Sequence, residues 1–560
     1  MASSVRPSSA TSDRGVAAVI AVGYVVLLLA TMQGLGYARD EGFYFHAAKS
    51  YQAWLELVLS SPGRALAEVD RHFVVNHEHP SLIKLAMAVS HGLGWQRLHL
   101  FAEEGTSFRF VGVLGSSLAL AVTYLWGARQ HSRLAGLMAA LLLGAMPRFF
   151  YHAHLACFDG PIVGLWLLAA YAYHRALQKR DARATLLAGL CFGLALDTKH
   201  NSWFLPIVCL AHLALVMTAA RWSSRERAEE GGRVARAHLR RAVPVLAAMA
   251  ILGPVVTWLL WPWLWHDTAA RVAGYARFHL GHVYYNMELF GRNYFEPPMP
   301  RAYAFVMTAA TVPTVTLVAA VLGAGASLRR GWRSRRRLGE PFAGAISAPL
   351  FWLLAIALVY GAWLLPTTPI FGGTKHWMTT YPFVALFAGV GVAEGVRRAL
   401  AGTRRRWAPA VMGASALAVV AAPAVETLGA HPWALSAYVP LFGGAAGGAT
   451  LGLNRGFWGY TTGAPRVLAE LSHAPPGARI YLHDTATSAW DMLVADGHLR
   501  PDLRRTQDLA QADVLLYHQE LHMQGVLFQI WGRAGTTAPQ LVDGLDGVPV
   551  VLVFDASETP

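Results

Sequence analysis

The sequence predicts a polytopic α-helical membrane protein with a small α/β domain near its C-terminal end. The 560 residues are 54% hydrophobic and only 14% charged, whereas soluble domains carry about 25% charged residues. The hydrophobic residues form blocks, such as 16–32 and 306–326, and runs of about 18 apolar residues are typical of transmembrane helices. Short apolar segments alternate with helical patterns after residue 460. This composition excludes a soluble cytosolic enzyme, a secreted disulfide scaffold and a disordered chain.

The apolar blocks predict about eleven spanning helices, near 15–32, 107–127, 132–147, 160–175, 185–199, 203–220, 243–263, 302–325, 347–366, 378–396 and 408–424. Arg and Lys cluster in every second loop, at 6–14, 129–133, 175–183, 221–241, 329–337 and 397–406. Positively charged loops stay in the cytoplasm, which places the N-terminus inside and the last segment outside. The first block is not a cleavable signal, because no A-x-A-like site follows it.

The topology predicts three regions: a cytoplasmic N-terminus at 1–14, a transmembrane domain at 15–424 with a large outer loop at 33–106, and an extracytoplasmic tail at 425–560. In the tail, helical patterns at 465–473, 488–497 and 520–532 alternate with strand patterns at 478–483, 513–518 and 548–554, which indicates an α/β domain. The net charge of +14 reflects the basic loops, so no nucleic-acid partner is predicted. Three cysteines in apolar surroundings favour neither a disulfide framework nor a cysteine metal site.

Two carboxylates, Asp40 and Glu41, directly follow the first predicted helix. Apolar positions at helical spacing across 43–59 predict a helix that lies in the membrane interface with its aromatic face toward lipid. Two interpretations of the carboxylates stay open. They cap the N-terminus of that helix, or Asp40 is a base held at the boundary between water and lipid.

The segment 76–84, NHEHPSLIK, places ionisable groups before a proline that suits the start of a helix. His77, Glu78 and His79 carry metal-ligand chemistry, but the H-E-x-x-H spacing is absent and no metal site is predicted. In 152–161, HAHLACFDGP, Asp159 is an acidic group at a predicted membrane boundary, where such groups mark functional sites. A capping role before Gly-Pro is the alternative.

Two further segments, 197–201 and 372–377, place Lys199 and Lys375 beside small residues and a histidine. Lysine is a good partner for phosphate, although a snorkelling anchor is the simpler interpretation. The loop 264–301 is rich in aromatic and amide side chains, which suit sugar binding and an interfacial belt equally. The polar segments all fall on the outer side in a topology derived from other residues, which favours one shared site.

These motifs resemble a known family. Asp40-Glu41 and the segment from His79 to Lys84, HPSLIK, look like the D-E and H-P-P-L-G-K pair of protein O-mannosyltransferases. The segment 154–161 is similar to the second acidic site of the same superfamily, glycosyltransferase family 39 and its relatives, which includes lipid A aminoarabinose transferases. The segments 193–199, 381–382 and 431–444 also fit bacterial members. Ser81 and Ile83 depart from the pattern, and 264–301 is too short for the β-trefoil insertion of the protein mannosyltransferases, so the acceptor stays open.

The resemblance implies a C-type glycosyltransferase fold and transfer of a sugar from polyprenyl phosphate to an acceptor hydroxyl. The transfer would occur with inversion, on the outer face of the bacterial plasma (inner) membrane. Acceptors of this superfamily are lipids, glycans or proteins, and membrane lipids surround the enzyme. No cofactor is firmly predicted, and assistance by a divalent cation stays open. The implied site consists of Asp40 as the base with Glu41 beside it, and of donor-binding residues Lys199, Lys375, Lys84, Arg109, His79, Asp159 and His154.

Two other classes of function compete with this one. A transporter or flippase is the main alternative, since polytopic folds with ionisable groups often move substrates. The charged groups here gather at the outer surface, however, and no paired broken helices occur in two similar halves. A scaffold whose tail binds a partner does not explain the D-E and H-P-x-L-x-K motifs.

Overall fold

The structure is a computed structural model that describes residues 10–223, 228–333, 342, 347–369, 373–401, 407–455 and 463–557. A large helical part precedes a small sheet domain, which confirms the predicted fold class of an α-helical membrane protein with an α/β C-terminal domain. The α-helices of the first part are α1 Ala10–Ala30, α2 Arg39–Ser60, α3 Pro62–Ala67, α4 Val69–Phe73, α5 Leu82–Val89, α6 Glu104–Gln130, α7 Arg133–Gly144, α8 Pro147–His154, α9 Asp159–Lys179, α10 Ala182–Leu196, α11 Phe204–Ser223, α12 Ala228–Leu260, α13 Thr268–Leu280, α14 Tyr303–Thr311, α15 Thr314–Arg333, α16 Ser347–Ala362, α17 Tyr381–Ala401, α18 Ala408–Ala430 and α19 Gly444–Thr450.

Shorter elements connect these helices. Ser90–Arg97 forms a π-helical segment, and 3₁₀ turns occupy His200–Trp203, Pro262–Trp265, Gly373–His376, Met378–Thr380 and Pro440–Phe442. A hairpin of β1 Met287–Leu289 and β2 Arg292–Tyr294 lies in the predicted outer loop.

Each predicted spanning segment falls on a helix or a bent pair of helices. Among the described residues, five helices are long and apolar enough to cross a membrane, or up to seven if each bent pair is one span. The segment 302–325, predicted as one helix, is two helices that meet at 112°. Pro313 explains the break, because proline disfavours helical backbone in the residue before it, and Val312 is extended. The number of about eleven spans stays a prediction.

Described residues from four of the predicted basic loops meet at one end of the helical part. Arg133 at the start of α7 pairs with Asp13 of α1 at 2.7 Å. Arg330 near the end of α15 and Arg397 near the end of α17 both pair with Glu394. Two of the residues singled out for chemistry lie at the opposite ends of these helices, since Asp40 follows α1 and Lys375 precedes α17.

Helix α2 confirms the helix predicted across 43–59, but the prediction that its aromatic face contacts lipid is wrong. Tyr51 and Trp54 pack on Phe73 with ring centroids 4.2 and 5.0 Å apart. Tyr44 packs on Phe158 at 4.3 Å. The three α2 aromatic side chains are buried. The short helices α3 and α4 fold back over Tyr51 and Trp54, whereas Phe158, just before α9, covers Tyr44.

The C-terminal domain is a five-stranded sheet with three helices. Its strands are β3 Arg479–Leu482, β4 Arg504–Thr506, β5 Val514–His518, β6 Leu541–Leu545 and β7 Val548–Asp555, in the order β4-β3-β5-β7-β6. Strands β4, β3 and β5 are parallel, whereas β7 is antiparallel to β5 and β6. The helices are α20 Pro465–Ser472, α21 Thr487–Ala495 and α22 Gln524–Ala534, and short 3₁₀ turns lie at Leu509–Gln511 and Leu521–Met523. The predicted tail elements are present, while β4 and β6 were not predicted because β4 is short and polar and β6 contains Asp543 and Gly544.

The C-terminal domain packs directly on the start of α2. A Cβ atom on Gly42 would lie 2.7 Å from the backbone nitrogen of Ala489, so only glycine permits this approach. Asp496 accepts hydrogen bonds from the Tyr37 hydroxyl at 2.5 Å and from the backbone N–H of Glu104 at 2.7 Å. Asp496 therefore caps the N-terminus of α6 from the other domain.

A buried carboxyl lies where the β1–β2 hairpin meets the C-terminal domain. Burial raises the pKa of Glu288 to about 7, although the backbone N–H of Leu521 and the charge of Arg455 oppose this shift. Between the usual carboxyl pKa and about 7, the folded protein keeps a proton that the unfolded chain releases, so this group contributes stability at acidic pH that is lost as the pH rises through 7.

Glu288→Gln is therefore expected to stabilise the protein at pH 8 relative to the wild type, with a smaller gain at pH 4.5. The measurement is the difference in melting temperature between variant and wild type across this range. This difference in melting temperature isolates Glu288, because every other titratable group is present in both proteins. A difference that is constant with pH would contradict the assignment.

Candidate active site

Four charged side chains from distant segments meet at one end of the helical part. Asp40 stands in the first turn of α2 and Asp159 begins α9, while Lys199 follows α10 and Lys375 precedes α17. Lys375 Nζ lies 3.0 Å from Asp40 Oδ2. Lys199 Nζ lies 2.5 Å from Asp159 Oδ1. Two lysine–carboxylate pairs thus form one cluster, here called the double ion pair.

The two pairs influence each other. Burial by itself would raise the pKa of Asp159, but the charges of Lys199 and Lys375 outweigh it and hold this pKa well below its usual range. Burial lowers the pKa of Lys375, but Asp40 and Asp159 more than compensate and raise it. These interactions keep Asp159 and Lys375 charged at neutral pH. The side chain of Asp40 is 32% exposed and that of Asp159 only 7%, so Asp40 is the more accessible of the two carboxylates.

Local backbone features place these residues. Both carboxylates occupy the first turn of a helix, where the helix dipole favours negative charge. A Cβ atom on Gly160 would come within 2.2 Å of Ser116 Oγ, so glycine allows α9 to begin directly against α6. Lys199 is extended, with φ −162° and ψ 150°, between α10 and the turn at His200.

Glu41 forms a separate, fully buried ion pair with Arg109. Arg109 donates to both carboxylate oxygens at 2.7 and 2.8 Å. The backbone N–H groups of Ala38 and Ala156 donate to the same carboxylate at 2.8 and 2.9 Å. Arg109 also donates to the carbonyl of Leu35 at 2.9 Å. The structure brings the predicted residues Glu41 and Arg109 together with each other, and this pair fixes the start of α2 against α6.

His79 lies beside the double ion pair, and Lys84 holds the loop that carries His79. The His79 ring centroid is 5.0 Å from that of Phe158 and 5.6 Å from that of His279. Burial, reinforced by Lys84, His279, Lys199 and Lys375, lowers the pKa of His79 well below its usual value, so the ring is neutral. Lys84 Nζ donates to the carbonyls of Asn76 at 2.5 Å and His79 at 2.9 Å. These bonds hold the loop that carries His79.

His154 connects helices instead of joining the double ion pair. Its Nε2 lies 2.8 Å from the hydroxyl of Thr31 and its Nδ1 lies 2.7 Å from the carbonyl of Phe150. Its ring stacks on His431 at 5.3 Å. The ring nitrogens thus tie α8 to the end of α1.

The predicted site does not include His152 and Arg148, which the structure places in this region. His152 Nδ1 lies 4.0 Å from Asp159 Oδ2, and the imidazole is buried. Arg148 is fully buried, with its guanidinium 5.6 Å from the ring centre of Tyr438. The sequence signal for both residues is a charged or ionisable side chain, Arg148 or His152, within the apolar stretch before Asp159. Gly372 of the predicted lysine segment lies outside the described residues.

Within the described residues, one group has the composition and spacing to hold a metal ion, and it lies elsewhere, at Glu103, Asp496 and His498. The carboxylate of Asp496 already accepts the hydrogen bonds that cap α6. Of the segment 77–79, His77 Nδ1 lies 2.9 Å from the carbonyl of Val74 and Glu78 accepts from Asn76 at 2.6 Å.

Comparison with known proteins agrees with the family resemblance that the sequence motifs indicate. Residues 93–229 match the model of the family described as dolichyl-phosphate-mannose-protein mannosyltransferase. This segment is about a quarter of the chain and contains Arg109, His154, Asp159 and Lys199. No curated protein sequence matches the chain.

Several solved structures are similar in outline. ArnT from Cupriavidus metallidurans bound to undecaprenyl phosphate is 15% identical, with 97% of this chain and 98% of that chain covered and a TM-score of 0.46. The oligosaccharyltransferase of Archaeoglobus fulgidus in the apo form is 11% identical over 94% of this chain and 71% of that chain, with a TM-score of 0.49. With TM-scores below 0.5, neither likeness decides the fold or the activity. The family model, however, confirms over residues 93–229 the resemblance to protein O-mannosyltransferases that the sequence motifs indicate.

Proposed function

We propose that the protein is a glycosyltransferase that moves a sugar from a polyprenyl-phosphate carrier to an acceptor hydroxyl. The observation that carries the proposal is the double ion pair, in which two lysines and two carboxylates from four segments meet with one carboxylate accessible. The family match supports the same class of reaction. The donor class combines a phosphate, which lysines bind, with an apolar chain that suits a protein of many membrane-length helices.

In the proposed reaction, the acceptor hydroxyl attacks the anomeric carbon of the sugar while Asp40 takes its proton. A new carbon–oxygen bond forms, the bond from the anomeric carbon to the phosphate oxygen breaks, and the electron pair leaves on polyprenyl phosphate. A single displacement inverts the anomeric centre. Lys199 and Lys375 stabilise the negative charge that develops on the leaving phosphate. Binding of that phosphate draws Lys375 away from Asp40 and leaves the Asp40 carboxylate available as a base.

Most of the other predicted residues act through Asp40, Lys199 and Lys375. Glu41 and Arg109 position Asp40, because their pair fixes the first turn of α2. Lys84 positions the loop that carries His79, and Asp159 holds Lys199. His79 contributes a neutral ring beside the lysines, suited to contact with the donor. His154 would act only through the packing of α8.

The site is proposed to face the outside of the bacterial plasma membrane. Basic residues at the opposite ends of the helices support this orientation, since positive loops stay in the cytoplasm. In this assignment, residues 1–14 are cytoplasmic, 15–424 form the transmembrane glycosyltransferase domain and 425–560 are extracytoplasmic. A transporter would instead need charged groups near the middle of the membrane, whereas the double ion pair lies at helix ends.

Lys199→Gln and Lys375→Gln are each expected to weaken binding of undecaprenyl phosphate by about tenfold or more, because each removes a charge-assisted contact to phosphate. The measurement is titration of the purified protein in detergent with undecaprenyl phosphate, followed by native mass spectrometry. Lys49→Gln is the matched control, since Lys49 is 47% exposed and pairs with Glu104 away from the double ion pair.

Undecaprenol, which lacks the phosphate, separates recognition of the head group from binding of the chain. Wild type should bind undecaprenol more weakly than undecaprenyl phosphate, and the two lysine variants should lose that preference. Equal binding of both lipids by wild type would contradict a phosphate-dependent donor site.

A further inference from the structure

One edge of the C-terminal sheet gathers polar side chains. Strands β3 and β5 are parallel neighbours, so the chain leaves both at the same edge. His483 and Asp484 directly follow β3, and His518 ends β5. In open α/β sheets, ligands bind outside the carboxyl ends of parallel strands. We call residues His483, Asp484 and His518 the carboxyl edge.

The carboxyl edge faces the double ion pair. Asp484 Oδ1 lies 2.6 Å from Arg39 Nη1, and Arg39 is the residue before Asp40. Burial raises the pKa of Asp484 although Arg39 opposes the shift, and the negative charge of Asp40 adds to the rise. Close by, the side chains of Asn286 and His522 meet at 3.0 Å, which links the edge to the outer hairpin. A molecule bound at this edge would lie next to Asp40.

Two buried polar atoms at the carboxyl edge have no hydrogen-bond partner among the described residues. His483 Nδ1 accepts from the backbone N–H of His518 at 3.1 Å, which leaves the proton on Nε2. Nε2 is buried without an acceptor, and the residue is 4% exposed. Burial lowers the pKa of His483 to about 3, so the ring is neutral with this donor in place. Asp484 Oδ2 is buried without a donor.

Asp484 is also held in an unusual backbone conformation, with φ at +52°. Left-handed backbone is costly for a residue other than glycine and clusters at functional sites. The turn therefore maintains the position of the Asp484 carboxylate at some cost in stability. A buried donor and a buried acceptor without partners on adjacent residues cost further free energy. These three costs on two residues point to a ligand that supplies the missing partners.

We propose that the carboxyl edge is the acceptor subsite and that the acceptor it holds is a glycan. This inference rests on the proposed function, which it deepens by naming the acceptor class. A sugar hydroxyl both donates and accepts a hydrogen bond, which matches the donor at His483 and the acceptor at Asp484. Phe295 is 56% exposed, and its ring centroid lies 6.2 Å from that of His522. That ring offers an apolar face for a sugar to pack on.

The test is saturation-transfer NMR on the full-length protein in nanodiscs with maltose, cellobiose and mannobiose as probes. N-acetylthreonine methylamide serves as the peptide probe. At least one disaccharide should bind the wild type. His483→Phe and Asp484→Asn should each weaken that binding at least tenfold. Phe295→Ser, at an exposed position that leaves the fold intact, should weaken it as well.

Asp491→Asn is the matched control, because its side chain is 55% exposed and pairs with Arg505 on the same domain. It should bind the disaccharide as the wild type does. The proposal is overturned if no disaccharide binds, if only the peptide binds, or if binding survives the three substitutions at the subsite. Because the assay needs no turnover, it separates the two proposals. If disaccharide binding depends on His483 but Asp40→Asn leaves transfer unchanged, the subsite stands and the proposed chemistry fails.

Discussion

Asp40→Asn is expected to lower the rate of sugar transfer by about 10²–10⁴-fold, the usual contribution of a general base. An amide cannot take the proton of the acceptor hydroxyl, yet it has nearly the same shape as the carboxylate. The rate is measured in membrane vesicles supplied with polyprenyl-phosphate sugars extracted from the same cells. Binding of undecaprenyl phosphate should change much less than the rate, since Lys199 keeps its pair with Asp159.

The control for Asp40→Asn is Asp70→Asn, because Asp70 is also a partly exposed carboxylate paired with a basic group, here Arg271 at 2.6 Å. This variant should transfer sugar at the wild-type rate. If both variants kept the wild-type rate, Asp40 would be a helix-capping residue and the catalytic base would have to be sought elsewhere.

Arg109→Leu is expected to lower the free energy of unfolding by about 3–5 kcal/mol, the usual result of leaving one partner of a buried ion pair alone. Glu41 is completely buried and Arg109 is 2% exposed, so water cannot replace the lost partner. The start of α2 should lose its position, and transfer activity should fall together with stability. The measurement is thermal unfolding in detergent, followed by size-exclusion chromatography with fluorescence detection.

The exposed pair of Arg64 and Glu68 is the control for this prediction. Arg64 is 64% exposed, and its partner lies one turn along the chain at 2.9 Å. Arg64→Leu should leave the melting temperature unchanged, because exposed ion pairs contribute little. A similar loss of stability in both variants would show that the burial of the Glu41–Arg109 pair is not the cause.

The sequence predicted the helical architecture because apolar blocks and basic loops are local signals. The α/β character of the C-terminal domain could also be predicted, since β3, β5 and β7 are short apolar runs between helical patterns. The face of α2 was assigned wrongly, because periodicity identifies a buried face without saying whether lipid or protein covers it. Tyr51 and Trp54 face protein only because α3 and α4 fold back over them.

The sequence allowed the residues of the candidate site to be predicted, but not which of them form ion pairs with each other. Asp40, Asp159, Lys199 and Lys375 stood out as charged groups at the ends of apolar blocks. Which lysine pairs with which carboxylate depends on how α2, α9, α10 and α17 pack, and no local signal records that. The Glu41–Arg109 pair joins residues far apart in the sequence for the same reason. The role of Asp484 beside Arg39 required the docking of a separate domain.

The central claim is that Asp40 catalyses transfer from a polyprenyl-phosphate sugar. The most direct measurement compares cells that express wild type or Asp40→Asn at matched levels, with polyprenyl-phosphate sugars, envelope glycolipids and glycoproteins profiled by mass spectrometry. The account predicts that the variant accumulates one polyprenyl-phosphate sugar and loses one glycoconjugate that carries a sugar of matching mass. Identical profiles, in cells where the wild type is active by an independent phenotype, would contradict it.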